Sequence, residues 1–165
     1  MRSIIRIFIC SLPLLLFSCY KFQGISISPE IRTYYVSQFG DKTRNSPPGL
    51  TIDFTEKLKD KIRDESRLVY SEVAPDVTFS GDISSFRVSF GNIQANEQVA
   101  FNRLIIGAKV NYENSLNEED NLDFSVEFDA QYSSDQNLLD VQDELIEEIT
   151  NQLVDEIFNK AFTNW

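Results

Sequence analysis

Between Arg103 and Tyr132 hydrophobic and polar residues alternate almost without a break, and this stretch declares its geometry more plainly than any other. Leu104, Ile106, Ala108, Val110 and Tyr112 are interleaved with Arg103, Gly107, Lys109, Asn111 and Glu113, and only Ile105 interrupts. The period of two predicts a half-buried antiparallel strand with one wetted face. After a turn at Asn114 to Asn121, with Glu118, Glu119 and Asp120 at its tip, the same period returns. Leu122, Phe124, Val126, Phe128, Ala130 and Tyr132 fall on one side, and Asp123, Ser125, Glu127, Asp129 and Gln131 on the other. The two strands form a hairpin whose register is set by these faces.

A different period appears on either side. Leu50, Phe54, Leu58 and Ile62 recur every four residues, with Lys57, Lys59, Asp60, Lys61 and Arg63 between them, so an amphipathic helix is predicted there. Asp53 and Glu56 lie near its start and Arg63 and Arg67 towards its end, which suits the helix dipole. Ser133 to Asn137 provides a cap, and a second, longer helix runs from about Leu138 to about Phe162. Its buried stripe comprises Leu138, Val141, Leu145, Ile149, Leu153, Ile157 and Ala161, widened by Ile146, Val154 and Phe158. Glu144, Glu147, Glu148, Asp155 and Glu156 belong mostly on the wet side.

Two further strands complete the pattern. Ile31 to Phe39 is rich in β-branched and aromatic residues, and the consecutive Tyr34, Tyr35 and Val36 suggest a strand covered on both faces. Gly40 to Gly49 is a polar loop. From Asp76, the residues Val77, Phe79, Gly81 and Ile83 share one face, but Phe86, Val88 and Phe90 continue on the opposite parity. A strand cannot change phase without an extra residue, so a bulge is expected near Ser84 and Ser85. Gly91 to Asn102 is a polar connection. The order strand, helix, three strands, helix predicts an α+β fold: a four-stranded, mostly antiparallel sheet covered by two α-helices in a two-layer sandwich.

The first residues obey neither period. Arg2 and Arg6 precede an apolar run from Ile7 to Phe17, and Leu16-Phe17-Ser18-Cys19 closes it. This has the layout of a signal peptide over residues 1–18, with a closing motif that resembles the lipobox of bacterial lipoproteins. A spanning helix needs about 20 apolar residues, whereas this run is shorter and contains Pro13. Ordinary secretion would leave Cys19 as an unpaired thiol in an oxidising space. Lipidation of Cys19 is the preferred reading, with residues 19–165 as one domain held close to the membrane by the short link from Tyr20 to Gly24.

Composition then removes whole classes of function. Acids outnumber bases by 26 to 15, giving a net charge of -11. Loss of Arg2 and Arg6 with the leader would deepen this by two further charges, which makes nucleic acid a poor partner. The chain has no histidine and two cysteines, Cys10 and Cys19, of which the first lies in the leader. The commonest zinc sites, cysteine hydrolases and Ser-His-Asp arrangements are therefore excluded. No catalytic residue, metal ligand or cofactor is expected.

Several stretches, read together, carry a family likeness: Cys19-Tyr20-x-Phe22-x-Gly24, Phe54-Thr55-Glu56-x-Leu58, Phe79-Ser80-Gly81-Asp82-Ile83, Asn102-Arg103-Leu104, and Asp143-Glu144-Leu145-Ile146-Glu147-Glu148-Ile149 through Trp165. Over nearly the whole of residues 19–165 the chain resembles the lipopolysaccharide-assembly lipoprotein family, LptE, in a divergent branch with an acidic C-terminal helix ending in tryptophan. The resemblance implies two helices on a four-stranded sheet, in agreement with the pattern above. It also implies an outer-membrane lipoprotein that plugs an LptD-type β-barrel, helps that barrel assemble and assists delivery of lipopolysaccharide. Tyr20 follows the cysteine where an aspartate would favour inner-membrane retention, so the domain is expected to face the periplasm and the barrel lumen.

The basic residues that such relatives use towards lipopolysaccharide do not map onto this chain. By position the candidates are Lys42 and Arg44 in the first loop and Arg87, Arg103 and Lys109 on strands, weighed against scattered solvating charge. Asn102-Arg103, Gly81 and Trp165 are further points of interest without an assigned role, Gly81 because a glycine inside a strand permits close backbone approach. The alternative function is a periplasm-facing lipoprotein that binds a small molecule or glycan, which requires a concave, mostly apolar pocket.

Overall fold

The computed structural model describes residues 27–90 and 101–163. Cys19, the link from Tyr20 to Gly24, most of the Gly91 to Asn102 connection and Trp165 lie outside the described residues. The sheet is built on a long meander: β4 (Val77–Phe90), β5 (Phe101–Asn114) and β6 (Leu122–Ser133), each antiparallel to the next. The register is the one that alternation demands, with Leu104 opposite Ala130, Ile106 opposite Phe128 and Ala108 opposite Val126. The register of β4 on β5 shifts between Ile83 and Ser85, at the expected bulge. The extra residue brings Phe86 and Val88 onto the same face as Val77, Phe79 and Ile83. Asn102 is already paired within β5, opposite Phe90 and Tyr132, so the connection before it is shorter than its polarity suggested.

The sheet departs from the expected four strands at its other edge. β1 (Thr33–Val36) pairs with β4 in parallel, and two-residue strands, β2 (Gly40–Asp41) and β3 (Val69–Tyr70), attach in parallel to β4 and β1. Two residues carry no periodicity, so neither short strand shows in the pattern, and Gly40 belongs to β2 and not to the predicted loop. The parallel pairing follows from α1 (Leu50–Glu65), which returns the chain to the end of the sheet from which β1 started. Within β1 only Tyr34 and Val36 are buried, while Thr33 and Tyr35 are half-buried. The strand is therefore covered on one face, with Tyr35 leaning on Tyr70 at a ring-centroid distance of 5.9 Å.

Both helices lie on one side of the sheet. The α1 stripe of Leu50, Phe54, Leu58 and Ile62 is buried as its spacing requires. Phe54 meets Phe39 edge to face at 4.9 Å. α2 (Leu138–Phe162) lies over β5 and β6 and beside α1. Its core residues are Leu145, Ile149, Leu153, Val154, Ile157, Phe158 and Phe162, together with Thr150. Leu138, Val141, Ile146 and Ala161 are only partly buried, Ile146 because it borders the groove between the two helices. Phe162 packs edge to face on Phe79 and Phe158, at 5.7 and 5.1 Å.

Polar groups hold the joints. Asn137 caps α2 by accepting from Leu139 N–H. The Asp76 carboxylate accepts from Arg32 N–H, Thr33 N–H and Thr33 Oγ1 at 2.8 to 2.9 Å, tying the start of β1 to the start of β4. Arg67 lies past the end of α1 and has a different task from the one its charge suggested. Its guanidinium donates to the carbonyls of Ser28 and Ile31 and pins the entry segment. Among the described residues no helix is long and apolar enough to cross a membrane.

Candidate functional site

Because both helices sit on one side, the other face of the β4–β5–β6 meander is open. It presents Arg87 from β4, Arg103, Lys109 and Asn111 from β5, and Asp123, Glu127 and Asp129 from β6. Three of the five basic candidates, Arg87, Arg103 and Lys109, are thus brought onto one surface. Each is met by an acid of β6: Arg87 Nη2 lies 2.7 Å from Glu127, Arg103 Nε 3.7 Å from Asp129, and Lys109 Nζ 3.3 Å from Asp123. The groups remain well hydrated, with side-chain exposures of 42 to 62%.

The Arg87–Glu127 pair joins two strands that are not neighbours. It crosses β5 where Gly107 stands between Ser85 and Glu127. A Cβ at Gly107 would come within 3.4 Å of Glu127 Oε2 and 3.3 Å of Ser85 Cβ, so the missing side chain leaves the passage clear. Position along the chain does not mark Asp123, Glu127 and Asp129 as the partners of these bases. The hairpin register held the signal, since it sets the acids of β6 on the same face as the bases of β5.

Gly81 sits at the centre of a second feature of this face. A concavity of about 320 Å³ is lined by Ser80, Gly81, Asp82, Lys109, Asn111 and Asp123. A Cβ on Gly81 would lie 2.1 Å from the Lys109 carbonyl oxygen and 2.8 Å from Phe39, so close backbone approach does demand glycine here. Asn102-Arg103 is part of the β5 ladder, with Arg103 opposite Ser89 and Gln131. The remaining two candidates lie apart in the loop after β2. Lys42 reaches Asp82 at 3.8 Å and is 70% exposed, and Arg44 is exposed with no ion pair among the described residues.

Electrostatically the five bases do not form a cationic patch. Arg103 and Lys109 are six residues apart on β5, which is about 20 Å at the usual strand rise, and acids alternate with them. The perturbed titrations lie elsewhere. Backbone N–H groups of Arg32 and Thr33 hold Asp76 below the ordinary aspartate value, and the Ser46 and Thr43 side chains do the same for Asp41. Burial pulls Lys61 down, but Asp155 and Glu65 outweigh it and leave it raised. Burial among Phe79 and Phe162 pushes Tyr112 up to about 12. Among the described residues no cluster of three or more acidic or cysteine side chains is arranged to hold a metal ion.

A mixed sheet with an antiparallel meander, two helices on one face and an open face of paired charges on the other defines a two-layer α+β domain. Residues 31–161 match the family model LptE, lipopolysaccharide-assembly, and the chain belongs to that family. No curated protein sequence matches it. Among solved structures the fold is similar to a hypothetical protein of Chlamydia trachomatis, at 9% identity and a TM-score of 0.55, covering 81% of this chain and 99% of that one. It is also similar to a minor lipoprotein of Acinetobacter baumannii, at 9% identity and a TM-score of 0.52, covering 78% of this chain and 91% of that one.

Proposed function

We propose that the chain is an outer-membrane lipoprotein subunit of the lipopolysaccharide transport and assembly machinery, tethered through lipid on Cys19 and seated in an LptD-type β-barrel that it plugs and helps to assemble. Family membership supports the pathway. The observation that carries the plug reading is the open sheet face, on which every base is already neutralised by an acid of the same face. Barrel interiors are polar walls, and a broad, wetted surface on which each strand base is balanced by a neighbouring acid meets such a wall without leaving a cation unpartnered. The same balance disfavours direct capture of polyanionic lipopolysaccharide, for which only Arg44 is left unpaired among the five candidates. The alternative small-molecule reading calls for a mostly apolar pocket, whereas the groove of about 490 Å³ between the helices sets Asp53, Glu56, Asp60, Asp143 and Glu147 beside Pro47, Pro48, Leu50 and Ile146.

Photo-crosslinkers at Ser125 and Gln131, exposed on β6 and outside the ion pairs, should capture a large β-barrel after detergent extraction, and one at Asn159 on α2 should capture less. If no barrel co-purifies, the plug reading fails. For the anchor, each buried methylene is worth about 0.8 kcal/mol and two acyl chains hold stably. Cys19→Ala should therefore release the protein to the soluble fraction, and retention on the membrane would remove lipidation from the account.

A further inference from the structure

The two margins of the sheet are unlike. On one side β3 has 2 residues and β1 has 4, and β4 runs on beyond them past the bulge between Ile83 and Ser85. The other margin is β6, which is 12 residues long and pairs with β5 without a register shift. Folded proteins ordinarily guard such an edge with lysine, proline, a bulge, a short strand or a covering element. β6 contains no lysine, arginine, proline or glycine. Its acids Asp123, Glu127 and Asp129 guard it weakly, because each is balanced by a base of β5 or β4.

Which backbone groups face outward follows from the strand ends. Asn114 N–H donates to the Asn121 side chain, on the β6 side of β5, and Ser115 N–H donates to the Asp76 carbonyl, on the β4 side. Even-numbered residues of β5 therefore bond to β6, and through the register the even-numbered residues of β6 bond back. Ser133 agrees, since its N–H donates to the Gln136 side chain and its carbonyl accepts from Gln136 N–H. The N–H and C=O groups of Asp123, Ser125, Glu127, Asp129 and Gln131 thus point away from the sheet. None of them has a backbone partner beyond the ladder among the described residues.

We propose that β6 is the docking edge for one added β-strand of a partner protein, an extended segment in which aliphatic and basic residues alternate. Its main chain completes the outward N–H and C=O groups, and its side chains supply the specificity. On the helix side Phe124 and Phe128 are only partly buried against the core, and the aliphatic residues of a strand about 4.8 Å away extend that core by one row. On the open side Asp123 and Asp129 have only their loose contacts with Lys109 and Arg103, at 3.3 and 3.7 Å. Basic residues beside them and beside Glu127 match the charge, and the acidic chain draws such a segment in. A second copy of this chain fits less well, because two β6 strands bring Asp123, Glu127 and Asp129 of both copies together with no base on either strand. This inference goes beyond the plug reading and is tested on the chain alone, so its failure leaves that reading standing.

The test uses the full mature chain in detergent and follows amide hydrogen exchange by NMR. The probe is acetyl-Lys-Val-Arg-Ile-Thr-Val-Lys-amide, which in an antiparallel pairing sets its bases opposite Asp129, Glu127 and Asp123. In the free chain the amides of Phe124, Val126, Phe128 and Ala130 should exchange slowly and those of Ser125, Glu127 and Asp129 fast. Saturating peptide should slow the second set by at least about tenfold. A peptide with proline in place of threonine, which removes the donor facing Ser125, should not, nor should one with glutamate in place of its three bases. Asp123→Lys with Asp129→Lys should weaken binding by about tenfold or more. Ser125→Pro should abolish it while the amides that bond to β5 stay protected, since an edge strand tolerates proline where its N–H faces solvent. Four results overturn the proposal: outward amides already protected in the free chain, no protection by the basic peptide, equal protection by the proline or glutamate peptide, or protection that rises with protein concentration alone.

Discussion

The two faces of the β4–β5–β6 meander share one backbone and one register, yet they are held by different physics. On the covered face Phe79, Ile106, Val110 and Tyr112 are removed from water under the helices. On the open face Arg87, Arg103 and Lys109 stay hydrated and meet acids of β6. Burial of apolar surface is worth kilocalories per side chain, whereas an exposed ion pair is worth about 0 to 1 kcal/mol. Stability therefore resides on one side of the sheet, and the other side is free to be shaped by what it touches. Substitutions that separate the two faces test this division.

The largest effect is expected at Phe79, whose ring lies 5.1 Å from Tyr112 and 5.7 Å from Phe162. Phe79→Ala should lower the free energy of unfolding by about 3 to 5 kcal/mol, measured by urea denaturation. A loss below about 1 kcal/mol would place this position with the open face. Gly81→Ala should cost about 1 to 3 kcal/mol, because the added methyl meets the Lys109 carbonyl and the β4–β5 pair must part. An unchanged midpoint would show that the strands have room there. Asp76→Ala removes the clamp on Arg32 and Thr33 and should cost about 1 to 2 kcal/mol, read from the same titration.

Two limbs of a pH–stability curve sharpen the comparison. Asp76 and Asp41 are held below the usual aspartate value, so their contribution is complete above it and fades as pH falls through their lowered values. In Asp76→Ala the acid limb should be shallower, and an identical limb would remove this carboxylate from the acid response. Tyr112 works in the opposite direction. Kept neutral by burial up to about 12, it costs nothing below pH 10 and destabilises progressively between pH 10 and about 12. Tyr112→Phe should flatten that alkaline limb. The smallest effect is expected for Arg87→Ala, within about 1 kcal/mol. Its consequence should appear in barrel crosslinking from β6 instead.

The hairpin was legible because a period of two, repeated on both strands, leaves one register that hides Leu104, Ile106 and Val110. The bulge between Ile83 and Ser85 was legible for the same reason, since apolar parity changes there. β2 and β3 were not, because a pair of residues has no period and those strands exist only where β4 and β1 offer free edges. The reach of Arg67 back to Ser28 and Ile31 was hidden in the same way, as its charge suited the helix end equally well. At the candidate site, the basic residues could be picked out by position. Their neutralisation could not, because Arg87 and Glu127 are forty residues apart and meet across the gap at Gly107.

What the sequence by itself determined is local and periodic: which residues turn towards water, which stretches form the two helices and the long hairpin, and that acids outnumber bases. These follow from steric period and burial, which act within a few residues. The tertiary structure alone decided the parallel course of β1, the pairing of each base on the open face, and the reach of Arg67 back to Ser28 and Ile31. Those outcomes depend on which distant segments come to lie side by side, and no neighbour along the chain records that.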